Sequence, residues 1–143
     1  MESNQVIDKV IAKYPLVEFV DDHLLVPIEN LTAVMKELRD EFGFNLLTNE
    51  TAVDYVEHFE VIYNLCRVPE GTMLNVKTKV DHEQPELPTM VDIWAAANWQ
   101  EREIYDLLGI RFIGHPDLRR ILLEDDFQGY PLRKDFKWVG GRD

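Results

Sequence analysis

The stretch HFEVIYNLCRVPEGTMLNVKTKV, residues 58–80, decides the fold. In its first half Phe59, Val61, Tyr63 and Leu65 fall at every second position. In its second half Leu74, Val76 and Val80 keep the same period, with Asn75, Lys77 and Lys79 between them. Successive side chains of a strand point to opposite faces, so the pattern predicts two strands, each with one apolar face. Pro69-Glu70-Gly71 reads as the turn that joins them. Such a pair needs a cover for its apolar face, and helices packed there supply one. The predicted class is therefore α+β: a small, mostly antiparallel sheet with helices packed on one face and an irregular C-terminal tail.

The flanking sequence supplies the remaining elements. Upstream, NLLTNETAVDYV (45–56) is a third and less regular strand candidate. Val6, Ile7, Val10, Ile11 and Tyr14 recur at helical spacing and stop at Pro15. LVEFV and LLVPI flank Asp21-Asp22-His23, the signature of a hairpin. Asn30 is a suitable cap for a helix carrying Leu31, Val34, Met35, Leu38 and Phe42 on one face, and Gly43 suits its end. Downstream, DHEQPELP (81–88) reads as a polar surface connection. Thr89 then opens a helix, with Asp92 completing a pair like a capping box, and the helix runs to Leu108 before Gly109 ends it. Beyond His115 there is too little periodicity for another long helix. We read one domain over 1–143, with an α/β body at 1–88 and a helix plus docking tail at 89–143.

Composition narrows the function classes. With 45% hydrophobic and 29% charged residues, the 143-residue chain reads as a soluble globular domain. Its net charge of −12 argues against nucleic acid, which requires a basic face. The charge is uneven: residues 1–88 hold 17 acids and 7 bases, residues 89–143 hold 10 acids and 8 bases, and six of those bases are arginine. No apolar run approaches the roughly 20 residues of a membrane span. The N-terminal MESNQVIDKVIAKYP lacks the pattern of a signal peptide, so a cytoplasmic location is expected. Cys66 is the single cysteine, which precludes an intrachain disulfide and a cysteine-built iron–sulfur or zinc site made by this chain alone. Within EVIYNLCRV it reads as a small buried hydrophobe.

The chemistry-bearing stretch is NWQEREIYDLLGIRFIGHPDLRRILL, residues 98–123, with four acids, four arginines and a histidine. At 100° per residue, Trp94, Ala97, Ile104, Tyr105 and Leu108 form one stripe with Glu101 in its middle. A carboxylate facing a core must be paired or protonated, and Arg111, Arg119, Arg120 and Arg133 are the nearby cations. Arg102 and Asp106, four apart, are expected to pair on a neighbouring face that also carries Trp99. An enzymatic reading would make Glu101 or Glu103 a base, His115 its acid partner and the arginines an anion clamp. It lacks any nucleophile elbow, phosphate loop or zinc-binding histidine pair. A buried ion network that orders the tail is favoured, together with an interface in which Trp99, Tyr105, Tyr130, Trp138 and the arginines are the residue types of binding hot spots.

These residues also carry a resemblance. The order Glu101-Arg102-Glu103, Tyr105-Asp106, Gly109-Ile110, His115-Pro116, Leu118-Arg119-Arg120-Ile121, then Pro131-Leu132-Arg133-Lys134-Asp135-Phe136, resembles the hallmark of the 30 kDa subunit family of respiratory NADH dehydrogenase, complex I. Relatives occur in plastid-type complexes, F420H2 dehydrogenases and energy-converting membrane-bound nickel–iron hydrogenases. The first 90 residues agree only in architecture. The resemblance implies a non-catalytic peripheral-arm subunit of a membrane-associated, proton-pumping NADH:quinone oxidoreductase, with no catalytic, cofactor-binding or metal-ligating residues. It would dock on the hydrogenase-like large subunit of the 49 kDa type, beside an iron–sulfur small subunit, on the cytoplasmic side of the membrane. Iron–sulfur clusters and quinone, or a nickel–iron centre, would sit on those partners. The alternatives are the equivalent subunit of a nickel–iron hydrogenase or F420H2 dehydrogenase, and a free-standing carboxylate-dependent enzyme. Lys137 stands where relatives commonly have proline, and the chain stops six residues later, which weakens the expectation of an extended wrap around the large subunit.

Overall fold

The computed structural model describes residues 2–137. β4 (His58–Arg67) and β5 (Thr72–Asp81) form the expected antiparallel pair, in continuous register from His58 opposite Asp81 to Arg67 opposite Thr72. The predicted inner row is the observed one: Phe59, Val61, Tyr63, Leu65, Val76 and Val80 are all buried, with Thr78 buried among them. β3 (Leu46–Asp54) joins β4 antiparallel with a register shift between Leu47 and Asn49. That bulge is why its sequence looks irregular, since one extra residue resets which face each side chain meets. On the far side, β5 pairs in parallel with β2 (His23–Leu25), and β2 pairs antiparallel with β1 (Glu18–Val20). The sheet order is β1-β2-β5-β4-β3, mixed but mostly antiparallel. The hairpin turn is tighter than expected, for His23 is the first residue of β2 and is buried.

Helices cover the apolar face. α1 (Ser3–Lys13) buries Val6, Ile7 and Val10, and α2 (Ile28–Asp40) buries Leu31, Val34, Met35 and Leu38 in the same core. Two boundaries differ from the sequence reading. α2 starts at Ile28 with Pro27 as its cap, because Pro27 C=O accepts the Asn30 N–H at 3.0 Å and Asn30 is already helical. α3 is Ala97–Leu108 and does not reach back to Thr89. Residues 89–96 form turns, with the N–H groups of Ile93 and Trp94 both donating to Met90 C=O. The Thr89 hydroxyl, which would have capped a longer helix, donates to Glu101 instead. Trp94 fastens this segment by donating its indole N–H to Phe44 C=O at 3.0 Å.

The stretch 81–88 is not only a surface connection. Glu86–Pro88 is strand β6, paired in parallel with β7 (Arg111–Ile113), and Leu87 and Phe112 are buried on it. Three residues between polar neighbours carry no readable period, so the sequence alone does not reveal this strand. β7 is delivered there by Gly109, which ends α3 at φ 75 in the left-handed region. A Cβ on Gly109 would lie 2.6 Å from the Tyr130 ring and 2.9 Å from the Arg133 guanidinium. Gly109→Ala should therefore lower stability by more than the roughly 1–3 kcal/mol of backbone strain alone. Thermal unfolding measures this, and a melting temperature equal to wild type would contradict the tight fit.

Candidate functional site

Asp106 lies on the third turn of α3 and is fully buried. Its Oδ1 accepts from Arg120 Nη1 at 3.0 Å, and its Oδ2 accepts the backbone N–H groups of Ile121, Leu122 and Leu123 at 3.1, 2.7 and 3.0 Å. One helical carboxylate thus holds four consecutive residues of the tail. Arg120 also donates to Asp106 C=O and Gly129 C=O, and lies against the rings of Tyr130 and Phe127. Arg133 donates to Leu108 C=O at 2.6 Å, satisfying the C-terminal end of α3, and lies against Tyr130 and Phe59. Leu132 N–H bonds Leu107 C=O at 3.0 Å, and Lys134 N–H bonds Asp54 Oδ2 at 2.9 Å. Asp54 also accepts from Val56 N–H and meets His82 at 3.1 Å. Burial alone would raise the Asp54 carboxyl, but the Lys134 and Val56 N–H groups and His82 outweigh it and hold it below its ordinary value.

The ion network is real, but two of its expected pairs are not those formed. Arg102 does not pair with Asp106: it donates to the carbonyls of Arg119 and Arg120 at 3.1 and 3.4 Å and stacks on Trp99. Arg119 points outward and pairs with Asp117, both exposed. Glu101 is fully buried yet meets no arginine among the described residues. It accepts the Thr89 hydroxyl at 2.5 Å and the Met90 N–H at 2.9 Å, and its remaining neighbour is a second acid, Glu50 of β3.

Glu50 is 3% exposed, and neither of its carboxyl oxygens receives a hydrogen bond among the described residues. It is opposite Tyr63, whose buried hydroxyl is likewise without a partner. Burial pushes Glu101 up to about 7, against the lowering from Thr89, Met90 and Glu50. Burial and then the adjacent Glu101 push Glu50 well above the carboxylate range. Burial thus favours the protonated form of Glu50, which lies beside Glu101 and offers that acid a proton in place of a cation.

The other marked residues have distinct places. The His115 ring accepts the Asp117 N–H at Nδ1 and donates Nε2–H to Asn98 C=O, so both nitrogens are engaged in holding the Pro116 turn. Leu118 packs on the core edge, and Tyr105 lies tilted against Tyr130. Glu103, Lys134 and Asp135 are exposed, as are Trp99, Leu122 and Leu132, while Pro131 is half-buried. Trp138 lies outside the described residues. No three His, Cys, Asp or Glu among the described residues are placed to hold a metal ion. Among the described residues neither Glu101 nor Glu103 is hydrogen-bonded to His115. Sequence reasoning missed Glu50, Asp54, Thr89 and His82. Glu50 stands between Asn49 and Thr51 in an irregular strand candidate, so nothing local marks it as buried.

The arrangement defines a class first: an α+β domain whose charged C-terminal segment is taken up in clasping its own tail and leaves aromatic and aliphatic residues exposed. The chain belongs to the family described as respiratory-chain NADH dehydrogenase, 30 Kd subunit, whose model matches residues 24–142. It is 51% identical over 116 residues to the C-type subunit of NADH-quinone oxidoreductase from Moorella thermoacetica, covering 80% of this chain and 78% of that one. It is 44% identical over 120 residues to the counterpart of the same name from Geotalea uraniireducens, covering 82% and 73%. Among solved structures, a trypsin-resistant fragment of Nqo5 superposes with a TM-score of 0.74 at 34% identity, covering 82% of this chain and all of that one. A chain of the membrane-bound sulfane sulfur reductase, an archaeal respiratory membrane complex, superposes with 0.79 at 29% identity, covering 95% and 86%.

Two measurements check the geometry. Asp106→Ala leaves Arg120 and three tail N–H groups without their acceptor and should cost roughly 3–5 kcal/mol, whereas Arg119→Ala, at an exposed pair, should leave the melting temperature unchanged. Equal losses would contradict the assignment of the clasp to Asp106.

The acid pair sets a pH dependence. The folded-state value of Glu101 is raised from 4.5 to about 7, so its contribution is complete below about pH 4.5 and is lost as pH rises through 7. The loss is on the order of 3 kcal/mol. Glu50→Gln donates to Glu101 without a titrating proton, so its melting temperature should fall less between about pH 5.5 and about pH 8.5. Parallel curves for variant and wild type would contradict the shared proton.

Proposed function

We propose that this chain is a non-catalytic peripheral subunit of a complex I-type, membrane-associated, proton-pumping oxidoreductase, docking on the hydrogenase-like large subunit and scaffolding its quinone-reducing module. The observation that carries this reading is the clasp itself. Asp106, Arg102, Arg120 and Arg133 are bound to the chain's own backbone, while Trp99 and Leu122 on the same segment remain 60% and 59% exposed. Large exposed aromatic and aliphatic side chains beside ordered arginines are what a docking surface requires. No helix among the described residues is long and apolar enough to cross a membrane, which agrees with a peripheral place in the assembly; the side we propose is the cytoplasmic one. Iron–sulfur clusters and quinone, or a nickel–iron centre, would then belong to the large subunit and an iron–sulfur small subunit. A second reading, the equivalent subunit of a different respiratory membrane complex, is favoured by the likeness to the archaeal reductase chain.

The test is recovery of the assembly from host membranes with a tagged chain. Wild type should bring down an iron–sulfur complex with donor-dependent quinone reduction. The exposed double variant Trp99→Glu with Leu122→Asp should melt like wild type but recover the complex at a small fraction of wild-type yield. Full recovery by that variant would contradict docking through this segment.

A further inference from the structure

A groove of about 270 Å³ runs between the outer edge of β3 and α3. Its apolar wall is Ile104, Leu107 and Leu108 of α3 with Leu132 of the tail, and its acids are Glu50 and Glu103. No lysine, arginine or histidine among the described residues lines it. At 100° per residue, this wall is a different face of α3 from the one that carries Trp99, Arg102 and Asp106.

Two occupants are disfavoured by what is already there. An added β-strand would need the outward N–H groups of β3, but Gln100 Oε1 accepts the Glu50 N–H at 2.5 Å and blocks the edge at its centre. A purely apolar side chain would cover the Glu103 carboxylate and the bare carboxyl oxygens of buried Glu50 without answering either, which is costly. Glu103 is exposed and makes no hydrogen bond or ion pair among the described residues. Glu50 is almost fully buried, lines the groove, and has no hydrogen-bond partner at either oxygen among the described residues.

We infer that the groove is a socket for one arginine side chain projecting from a partner protein, its stem against Ile104, Leu108 and Leu132 and its guanidinium between Glu103 and Glu50. An aliphatic stem with a charged head fits a site that is apolar along its wall and acidic at its polar points. Arginine suits it better than lysine, because a flat fork with five donors can answer the Glu103 carboxylate and the unpartnered Glu50 oxygens at once and gives up its hydration more readily. The net −12 of the chain attracts such a segment before contact. The inference does not rest on the docking reading above, since it concerns another face of α3 and holds whichever subunit carries the arginine.

The experiment uses the full isolated chain with blocked pentapeptides of alanine bearing a central arginine, citrulline or norleucine, followed by methyl NMR of Ile104, Leu107 and Leu108. The arginine peptide should shift these resonances saturably and bind roughly tenfold tighter than citrulline, its uncharged isostere. Glu103→Gln, a surface change that preserves the fold, should reduce that ratio to about two. Bound peptide should also move the Glu50 carboxyl carbon titration to lower pH, which a merely structural Glu50 would not do. Equal binding of arginine and citrulline, preferential binding of norleucine, or no saturable shift up to about 10 mM would each overturn the socket. Because only the isolated chain and peptides are used, failure here leaves the membrane recovery result standing, and the reverse also holds.

Discussion

A carboxylate sealed inside a protein must collect donors, and Asp106 collects all of its side-chain donors from residues 120–123. This constraint places the C-terminal segment. Once Arg120 is anchored, its guanidinium spans to Gly129 C=O and presses on Tyr130. Tyr130 in turn fills the space that Gly109 leaves by having no Cβ. Arg133 then closes the end of α3, and Lys134 N–H reaches Asp54 at the end of β3. A segment with little secondary structure is thus fixed by a series of bonds to one helix and one strand. Each bond alone is modest, but the helical acceptor is buried and offers no alternative partner.

Two acids on α3 meet the burial problem in different ways. Asp106 is answered by a cation and three amides, so its charge is balanced inside the clasp. Glu101, five residues earlier, is answered by Thr89, Met90 and a proton held with Glu50. The first solution fastens the tail to α3. The second fastens α3, and the turns that precede it, to the sheet through β3. Both joints meet on a helix of 12 residues whose polar side chains hold structure on more than one side. A partner that binds α3 therefore meets a helix already fixed in orientation, which reduces the ordering cost of association.

The meander was legible because period two runs from Phe59 to Leu65 in β4 and from Leu74 to Val80 in β5, interrupted only at Thr78. Both leading helices were legible for the same reason. β3 was blurred by its bulge, and β6 and β7 are too short to carry a period. At the site, helical spacing correctly turned Glu101 toward the core but pointed to the wrong partners. Counting nearby arginines assumes that an acid seeks a cation. A protonated acid from a strand about 50 residues away serves equally well, and no local pattern announces it. Arg102 and Asp106 were paired by helical spacing, yet each found better-aligned groups in the tail than in the other.

The family gives this geometry its setting, and the clasp explains how an acidic domain holds its C-terminal segment in order while Trp99, Leu122 and Leu132 stay exposed. That explanation requires the tail to be fixed by the chain itself, before any neighbour arrives. Amide hydrogen exchange of the isolated chain tests it directly at Ile121, Leu122 and Leu123. Strong protection of these three N–H groups, lost together when Asp106 is replaced by alanine, is the predicted result. Exchange at the rate of an unstructured peptide would mean that the tail is ordered by its partner, and would contradict a clasp built by the chain alone.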